Sequence, residues 1–397
     1  MNNVRMKWIG ASLLLLVAVV LVGVVVWLNM PRLRQSQGDI DDSQRWGKEI
    51  DTKKALLRET RVDGMLLMSL RFTPDGKNIC VSSSVHFERG GLEVYDPTTL
   101  KLQYRIPGIG GDLMEVSRDS RYVAVAASHK AWLIELNSKK LVREFDPPAL
   151  GFHRGEYPSA LAISPDGRLV VLAGIQETSD GTIRNSMVVW EAQSGVLVRR
   201  FDFEGEQKSG ITFGGLAFSP DGKMLAGGFS GAGVVQIWDA SDFHLVKELS
   251  YKNPEWQKPG KGLRPQWIAG GTQLMVRCSK IQPRKGKMLG CPIDVWDFDK
   301  GTLVSRVTSS ASSGLEAISP DNRYIACPSV HGSYEGATYI ISVATGKQLG
   351  LILCHKNYGV DRAFSPDGKV MVSGDSGTGA LCVWDWQEIL RQLGETK

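Results

Sequence analysis

The chain has 397 residues, of which 42% are hydrophobic and 22% are charged, an ordinary composition for a globular protein. This length is sufficient for one large domain with an appendage. The net charge of +5 falls to +3 when Arg5 and Lys7, beside the apolar N-terminal segment, are left out. Such a small excess does not suggest a nucleic-acid-binding protein, and we expect no nucleic-acid partner.

The first element is an uninterrupted apolar run over residues 8–28, with no charged residue and no proline. As a helix rising ~1.5 Å per residue, it would cover about 30 Å, the thickness of a bilayer core. Trp8 opens the run, and Trp27 precedes its last residue, Leu28, so aromatic residues stand at both interfaces. A cleaved signal peptide is the alternative, but the run is long for one and no small-residue cleavage site follows. We expect residues 1–30 to be a single transmembrane signal anchor.

Basic residues stand on both sides of this segment, with Arg5 and Lys7 before it and Arg32 and Arg34 after it. The positive-inside rule therefore separates the two orientations only weakly. Because the short tail of a signal anchor usually stays inside, we expect a single-pass membrane protein with its folded domain outside the cytoplasm.

Residues 31–54 are polar and carry charges of both signs, including Asp39, Asp41 and Asp42. This composition predicts a solvated linker, with order near Trp46, where it meets the next domain. A functional acidic patch is the less favoured alternative.

A strand–turn–strand unit repeats through the rest of the chain. It is clearest at residues 365–368, where an apolar run meets Ser-Pro-Asp-Gly; two more β-rich runs follow, the second ending in Trp384-Asp385. Pro and Asp suit the early positions of a β-turn, and Gly supplies the positive φ. Equivalent turns start at residues 73, 117, 164, 219, about 269, 319 and 365. A fourth apolar stretch follows several units, and four strands at this period predict a propeller blade.

These repeats resemble those of the WD40 family over about residues 69–394. The resemblance implies an all-β, seven-bladed β-propeller over residues 55–397. Together with the predicted anchor, it leads us to expect a membrane-anchored protein of bacterial type. Blades are expected to start near residues 69, 113, 160, 215, 265, 315 and 361.

The resemblance is closest in the last unit, where His355, Ser373, Asp375 and Trp384 match the side-chain hydrogen-bond set of the family. The Gly-His dipeptide that usually precedes a blade is absent throughout. Propellers of the TolB and quinoprotein types also use Pro-Asp-Gly turns, so the superfamily is indicated more firmly than the subfamily.

The resemblance also implies how the ring closes, because such propellers usually take the outermost strand of the last blade from the N-terminus. Residues 55–61 have the pattern of a fourth strand, whereas Trp386, Ile389, Leu390 and Leu393 stand at helical spacing. The N-terminal strand is preferred. The alternative is that residues 389–393 form the closing strand themselves.

The six cysteines are expected to be buried thiols that behave as small apolar residues. Cys278 and Cys291 bracket the hairpin loop of the fifth unit and are the one pair for which we consider a disulfide. Such a bond would contribute about 3 kcal/mol and would imply an oxidising compartment.

Strand direction alternates within a blade, so the connections fall on two faces. Turns after the first and third strands share one face, the tight-turn face. Connections after the second and fourth strands share the other, the long-loop face, which receives all the long irregular segments: 85–91, 147–159, 176–186, 251–262, 279–290, 329–336 and 355–359. Loop variation on a rigid ring commonly builds a binding surface.

Basic and aromatic residues concentrate on the long-loop face, mainly around the fifth unit. They are interpreted as a docking patch for an acidic protein segment or anionic headgroups. The alternative is a solvated insertion whose lysines prevent aggregation. The predicted partner-binding residues are Trp256, Lys258, Lys261, Arg284, Lys285, Tyr334, Lys356 and Tyr358.

Chemistry-bearing motifs are weak. Five histidines map to the long-loop face, but on different blades, whereas a metal site needs its ligands to converge ~2 Å from one ion. The Gly-Asp-Ser-Gly stretch at residues 374–377 resembles a serine-protease nucleophile loop but falls at a turn between strands. No phosphate-binding loop or dinucleotide fingerprint occurs. We expect no catalytic residue, metal or cofactor.

The sequence therefore predicts a membrane-tethered, non-catalytic scaffold that binds a protein partner on its long-loop face. One alternative is an envelope enzyme or small-ligand binder with its site at the mouth of the central channel. A second is a sensor domain that reports through the anchor to a cytoplasmic partner.

Overall fold

A computed structural model describes most of the repeat region. The described residues are 47–62, 66–84, 90–127, 130–145, 158–177, 183–203, 212–230, 233–250, 261–279, 291–309, 316–328, 336–355 and 359–395. The predicted anchor and the predicted linker up to residue 46 lie outside them. Within the described ranges, no helix combines the length and the apolar character needed to cross a bilayer.

The described chain forms seven sheets, antiparallel except for one parallel edge strand, with two short helices at its ends. It begins with β1 (Lys48–Glu49), α1 (Thr52–Ala55) and β2 (Leu56–Arg61). Blade 1 contains β3 (Leu66–Phe72), β4 (Ile79–Ser84), β5 (Gly91–Tyr95) and β6 (Leu102–Pro107). Blade 2 contains β7 (Leu113–Val116), β8 (Tyr122–Ala127), β9 (Lys130–Glu135) and β10 (Lys140–Phe145). Blade 3 contains β11 (Pro158–Ile163), β12 (Leu169–Glu177), β13 (Ile183–Glu191) and β14 (Leu197–Phe203).

The remaining blades repeat this order. Blade 4 contains β15 (Thr212–Phe218), β16 (Met224–Ser230), β17 (Val234–Asp239) and β18 (Leu245–Ser250). Blade 5 contains β19 (Lys261–Ile268), β20 (Gln273–Ser279), β21 (Cys291–Asp297) and β22 (Thr302–Ser309), with a 3-10 turn at Ala269–Gly271. Blade 6 contains β23 (Ala317–Ile318), β24 (Tyr324–Pro328), β25 (Thr338–Ser342) and β26 (Gln348–Ile352). Blade 7 contains β27 (Gly359–Phe364), β28 (Val370–Asp375) and β29 (Ala380–Asp385), followed by α2 (Trp386–Leu393).

The strands within each blade pair in chain order, and the first strands of all seven blades line a central channel. The all-β, seven-bladed propeller predicted from the sequence is thereby confirmed. The degenerate fifth unit, which lacks the Ser-Pro-Asp-Gly turn, is a complete blade.

Apolar clusters between neighbouring blades hold the ring together. Leu133 of blade 2 packs with Leu172 of blade 3, for example, and both are completely buried. Seven such clusters occur in the described chain, and the one that contains Leu70 and Val372 joins blade 1 to blade 7. Because burial of each large aliphatic side chain is worth about 1.5–3 kcal/mol, stacking supplies what a single sheet lacks.

The N-terminal strand closes the ring. β2 pairs antiparallel with β29, from Leu56 opposite Trp384 to Arg61 opposite Ala380, and so becomes the outer strand of blade 7. This confirms the preferred prediction. The alternative was wrong, because residues 389–393 are part of α2 and bury Ile389 and Leu390 against the core between blades 6 and 7.

β1 is an element that the sequence assigned to the linker. It pairs in parallel with β26, as a fifth strand on the edge of blade 6, and Ile50 donates its N–H to the Leu351 carbonyl at 2.9 Å. Glycines permit this close approach: a Cβ at Gly350 would lie 2.4 Å from the Lys48 carbonyl oxygen. Residues 47–54 of the predicted linker therefore pack on the propeller.

Candidate functional site

The connections of the tight-turn face are short and hydrogen-bonded internally. In six blades, the hydroxyl that opens the turn donates to the aspartate two residues later at 2.5–2.6 Å. The Ser219 hydroxyl thereby lowers the pKa of Asp221. Arg118 of blade 2 also donates to the Pro220 carbonyl of blade 4 at 3.0 Å, so two non-adjacent blades are linked at this face. This face offers little adaptable surface.

Blade 7 contains part of the predicted family hydrogen-bond set. His355 Nε2 lies 2.8 Å from Ser373 Oγ, and Trp384 Nε1 donates to the same oxygen at 2.8 Å. His355 Nδ1 is 3.9 Å from an Asp375 carboxyl oxygen, longer than a hydrogen bond. Asp375 instead accepts from the Gly377 N–H at 2.7 Å, within a tight turn between β28 and β29. The Gly-Asp-Ser-Gly stretch is therefore a structural turn, as predicted.

The central channel forms a cavity of about 510 Å³ that is lined by the first strands of the blades. Its charged lining residues are Arg71, Asp112, Glu115, Arg118, Arg264, Arg277, Glu316 and Arg362. Within the described ranges, no group of three or more His, Cys, Asp or Glu side chains is placed to hold a metal ion.

An ion pair between blades 7 and 1 occupies one side of the channel. Arg71 Nη1 lies 2.5 Å from Asp361 Oδ2, and the same oxygen accepts from Ser69 Oγ at 2.9 Å and from the Leu70 N–H at 3.1 Å. Arg71 Nη2 also lies 3.3 Å from Glu115 Oε1 of blade 2. Although burial alone would lower the pKa of Arg71, these two carboxylates raise it above its usual value.

A second ion pair links blades 5 and 6. Arg277 Nη1 donates to Glu316 Oε1, and both side chains are buried. Charges removed from water in this way are costly unless they are paired, so each of these carboxylates is committed to its arginine.

Besides Arg118, which donates to a carbonyl, two further arginines in the channel have no carboxylate partner among the described residues. Arg264 forms no hydrogen bond or ion pair with that part of the chain. Burial, followed by the like charge of Arg277, lowers its pKa to about 10, so that it remains a cation at neutral pH. Arg362 is only 2% exposed; its Nε donates to Thr338 Oγ1 at 2.8 Å, while Nη2 has no hydrogen-bond partner in the described chain. An unsatisfied buried donor costs about 1–3 kcal/mol.

The predicted partner-binding residues lie almost entirely outside the described chain. Lys261 begins β19, but its side chain is not described, and the other seven are absent from the described ranges: Trp256, Lys258, Arg284, Lys285, Tyr334, Lys356 and Tyr358. The docking patch therefore stays a prediction. The Cys278–Cys291 disulfide also stays a prediction, because the Cys291 side chain lies outside the described residues.

The charged channel was missed in the sequence. Its residues are scattered over the chain, and Arg71 and Asp361 are 290 positions apart. The available signal was a charged pair inside a strand: Asp361 and Arg362 stand directly before the apolar residues that lead into the last turn. A charge in the innermost strand of a blade must point into the channel or into a core, and it demands a partner.

Comparison with known proteins supports the repeat assignment. The profile described as "WD domain, G-beta repeat" matches residues 198–239 and 346–385, which end in the Trp-Asp pairs of blades 4 and 7. An uncharacterized WD repeat-containing protein from Synechocystis is 26% identical over 138 residues. That match covers 34% of this chain and 34% of the relative, so it spans about a third of each. Seven blades in a closed ring, with WD repeats recognised by the profile in two of them, support the similarity of this chain to the WD40 β-propeller family.

Proposed function

We propose that this protein is a membrane-tethered, non-catalytic scaffold that binds a protein partner on the long-loop face of its propeller. WD40 propellers in general serve as scaffolds for protein interaction and typically lack catalysis. The anchor predicted at residues 8–28 would hold the scaffold at a membrane.

The difference between the two faces carries this proposal. On the tight-turn face, β11 and β12 are joined by residues 164–168, in a turn whose polar groups hydrogen-bond to one another. On the opposite face, β20 and β21 are joined by residues 280–290. Longer connections on a rigid ring supply more side chains for recognition.

The chemistry expected on the long-loop face suits an acidic partner. Residues 251–290 contain Lys258, Arg284 and Lys285, with Trp256 nearby in sequence. Aromatic residues supply most of the binding energy in protein interfaces, and charges at the rim steer association and set its specificity.

The test is partner capture from native membranes with the full-length chain and two matched charge reversals. The first combines Lys258→Glu, Arg284→Glu and Lys285→Glu. The control combines Lys77→Glu, Lys223→Glu and Lys369→Glu, which change the net charge equally on the tight-turn face, where these side chains are 79%, 77% and 76% exposed.

We expect the first variant to recover at least tenfold less partner than the wild type and the control to recover as much as the wild type. Equal recovery by both variants would refute binding at this patch. A topology reporter at the C-terminus, read in intact cells, separately tests the proposed anchor and the extracytoplasmic position of the propeller.

A further inference from the structure

We propose that the central channel binds a small oxyanion, a ligand with a phosphate or carboxylate group, at Arg264 and Arg362. This inference goes beyond the scaffold function, because the site lies inside the ring and does not depend on the long-loop face.

The carboxylates nearest these arginines are already committed. Asp361 accepts hydrogen bonds from Ser69, Leu70 and Arg71, and Glu316 accepts from Arg277. Glu115, whose side chain is 40% exposed, lies within ion-pair distance of Arg71. Asp361 and Glu316 are thus already paired, whereas Arg264 has no ion pair and Arg362 Nη2 has no hydrogen-bond partner within the described chain.

Arg264 is the arginine of the cavity lining with which an anionic ligand could pair. It lies directly opposite Arg277 across the β19–β20 pair, an arrangement of like charges that is unfavourable without a counter-charge. Glu316 pairs with Arg277 and leaves Arg264 without an ion pair in the described chain. An anion in the cavity would supply the missing counter-charge.

Arg362 lines the same cavity and is the second cation of the proposed site. Its guanidinium is held by Thr338 Oγ1 at 2.8 Å and, more weakly, by the Asp361 carbonyl at 3.4 Å, which orients the side chain. The remaining Nη2 group is buried and has no partner among the described residues. A guanidinium forms short, charge-assisted hydrogen bonds with phosphate and carboxylate oxygens.

Two acid groups of the lining have raised pKa values. Burial raises the pKa of Asp112, and it raises that of Glu115 despite the opposing effect of Arg71. A ligand that only accepts hydrogen bonds is the class that complements this lining, and a cavity of about 510 Å³ admits a small molecule.

The experiment measures binding of inorganic phosphate and of succinate to the full-length chain, with sodium chloride at matched ionic strength as the reference. Calorimetry and the thermal midpoint are recorded for the wild type and for Arg264→Gln, which removes a cation without breaking a described contact. Arg391→Gln is the control, because Arg391 is 59% exposed on α2, away from the channel lining.

We expect at least one of the two anions to bind the wild type saturably and to raise its midpoint beyond the chloride reference. Arg264→Gln should weaken that binding at least tenfold, whereas Arg391→Gln should bind as the wild type does. The difference between phosphate and succinate identifies the oxyanion. The proposal is overturned if neither anion binds saturably or if Arg264→Gln binds as tightly as the wild type. Arg362→Gln adds a second variant if it folds, and partner capture is unaffected by either result.

Discussion

The cores between blades and the central channel are built from the same strands with contrasting chemistry. In β3, Leu70 is fully buried in the apolar cluster between blades 7 and 1, while the next residue, Arg71, reaches into the channel. The cores are mainly apolar, whereas the channel contains paired carboxylates together with Arg264 and Arg362, which lack a carboxylate partner in the described chain. The cores therefore explain how the ring holds together. The channel keeps positive charges that folding alone does not require.

The largest effect is expected in a core. Trp386 packs against Tyr324 and Phe364 between blades 6 and 7, with ring centroids 5.7 and 4.7 Å away. Trp386→Ala should lower the free energy of unfolding by about 3–5 kcal/mol, because it leaves a cavity in a packed cluster. Equilibrium urea unfolding measures this change. Leu303→Ala, at a position 41% exposed, is the control and should cost less than about 0.5 kcal/mol; similar losses in both would contradict the assignment.

The channel pair between blades 5 and 6 should respond differently from a core. Arg277→Met removes one member of a buried ion pair. It should lower the free energy of unfolding by about 3–5 kcal/mol, because the Glu316 carboxylate is left buried without a partner. The double variant Arg277→Met, Glu316→Leu should regain most of that loss, since neither charge is left buried alone. Urea unfolding of these two variants and of the single variant Glu316→Leu measures the three changes in the free energy of unfolding. If the loss of unfolding free energy in the double variant equals the sum of the losses in the two single variants, the pair behaves like ordinary core packing.

A smaller effect is expected on the tight-turn face. Ser219→Ala removes the hydroxyl that bonds Asp221, and it should cost about 1 kcal/mol. Because this bond lowers the pKa of Asp221, its contribution is present above the unfolded pKa of ~3.9 and is lost as the pH falls through the lower folded value. NMR titration of Asp221 should show the pKa rising toward ~3.9 in the variant. An unchanged pKa would mean that the hydroxyl does not act on the carboxylate.

The smallest effect involves reactivity and leaves stability unchanged. Burial alone would raise the pKa of Cys354, but His355, Arg362 and the Thr338 hydroxyl together lower it to about 6. Cys80, in the core between blades 1 and 2, has its pKa raised to about 12 by burial. Peptide mapping after iodoacetamide treatment should show Cys354 modified from about pH 6 upward and Cys80 protected. Equal labelling of the two thiols near neutral pH would contradict this contrast.

Much of the architecture could be predicted from local patterns. Turns at residues 73, 117, 164, 219, 319 and 365 and the Trp-Asp strand ends located the blades, and the apolar pattern of residues 55–61 located the closing strand. The His355–Ser373–Trp384 hydrogen bonds could be predicted from the resemblance of the last unit to the family. The partner-binding residues on the long-loop face remain predictions.

The charged channel and β1 could not be predicted in this way. Asp361 contacts Arg71 only because the ring brings blade 7 beside blade 1. The segment Lys48–Glu49 is too short and too polar to indicate a strand. Their partners depend on positions around the ring, and spacing along the chain does not encode those positions.

The sequence by itself determined the number of blades and the turns that separate their strands, because each depends on short-range residue order, and the resemblance to the family favoured the N-terminal origin of the closing strand. Only the tertiary structure decided which charges face one another in the channel and which of them lack a partner within the described chain. The reason is physical. The backbone position and rotamer of a side chain depend mainly on neighbouring residues in the sequence, whereas its electrostatic surroundings come from strands that closure of the ring brings together.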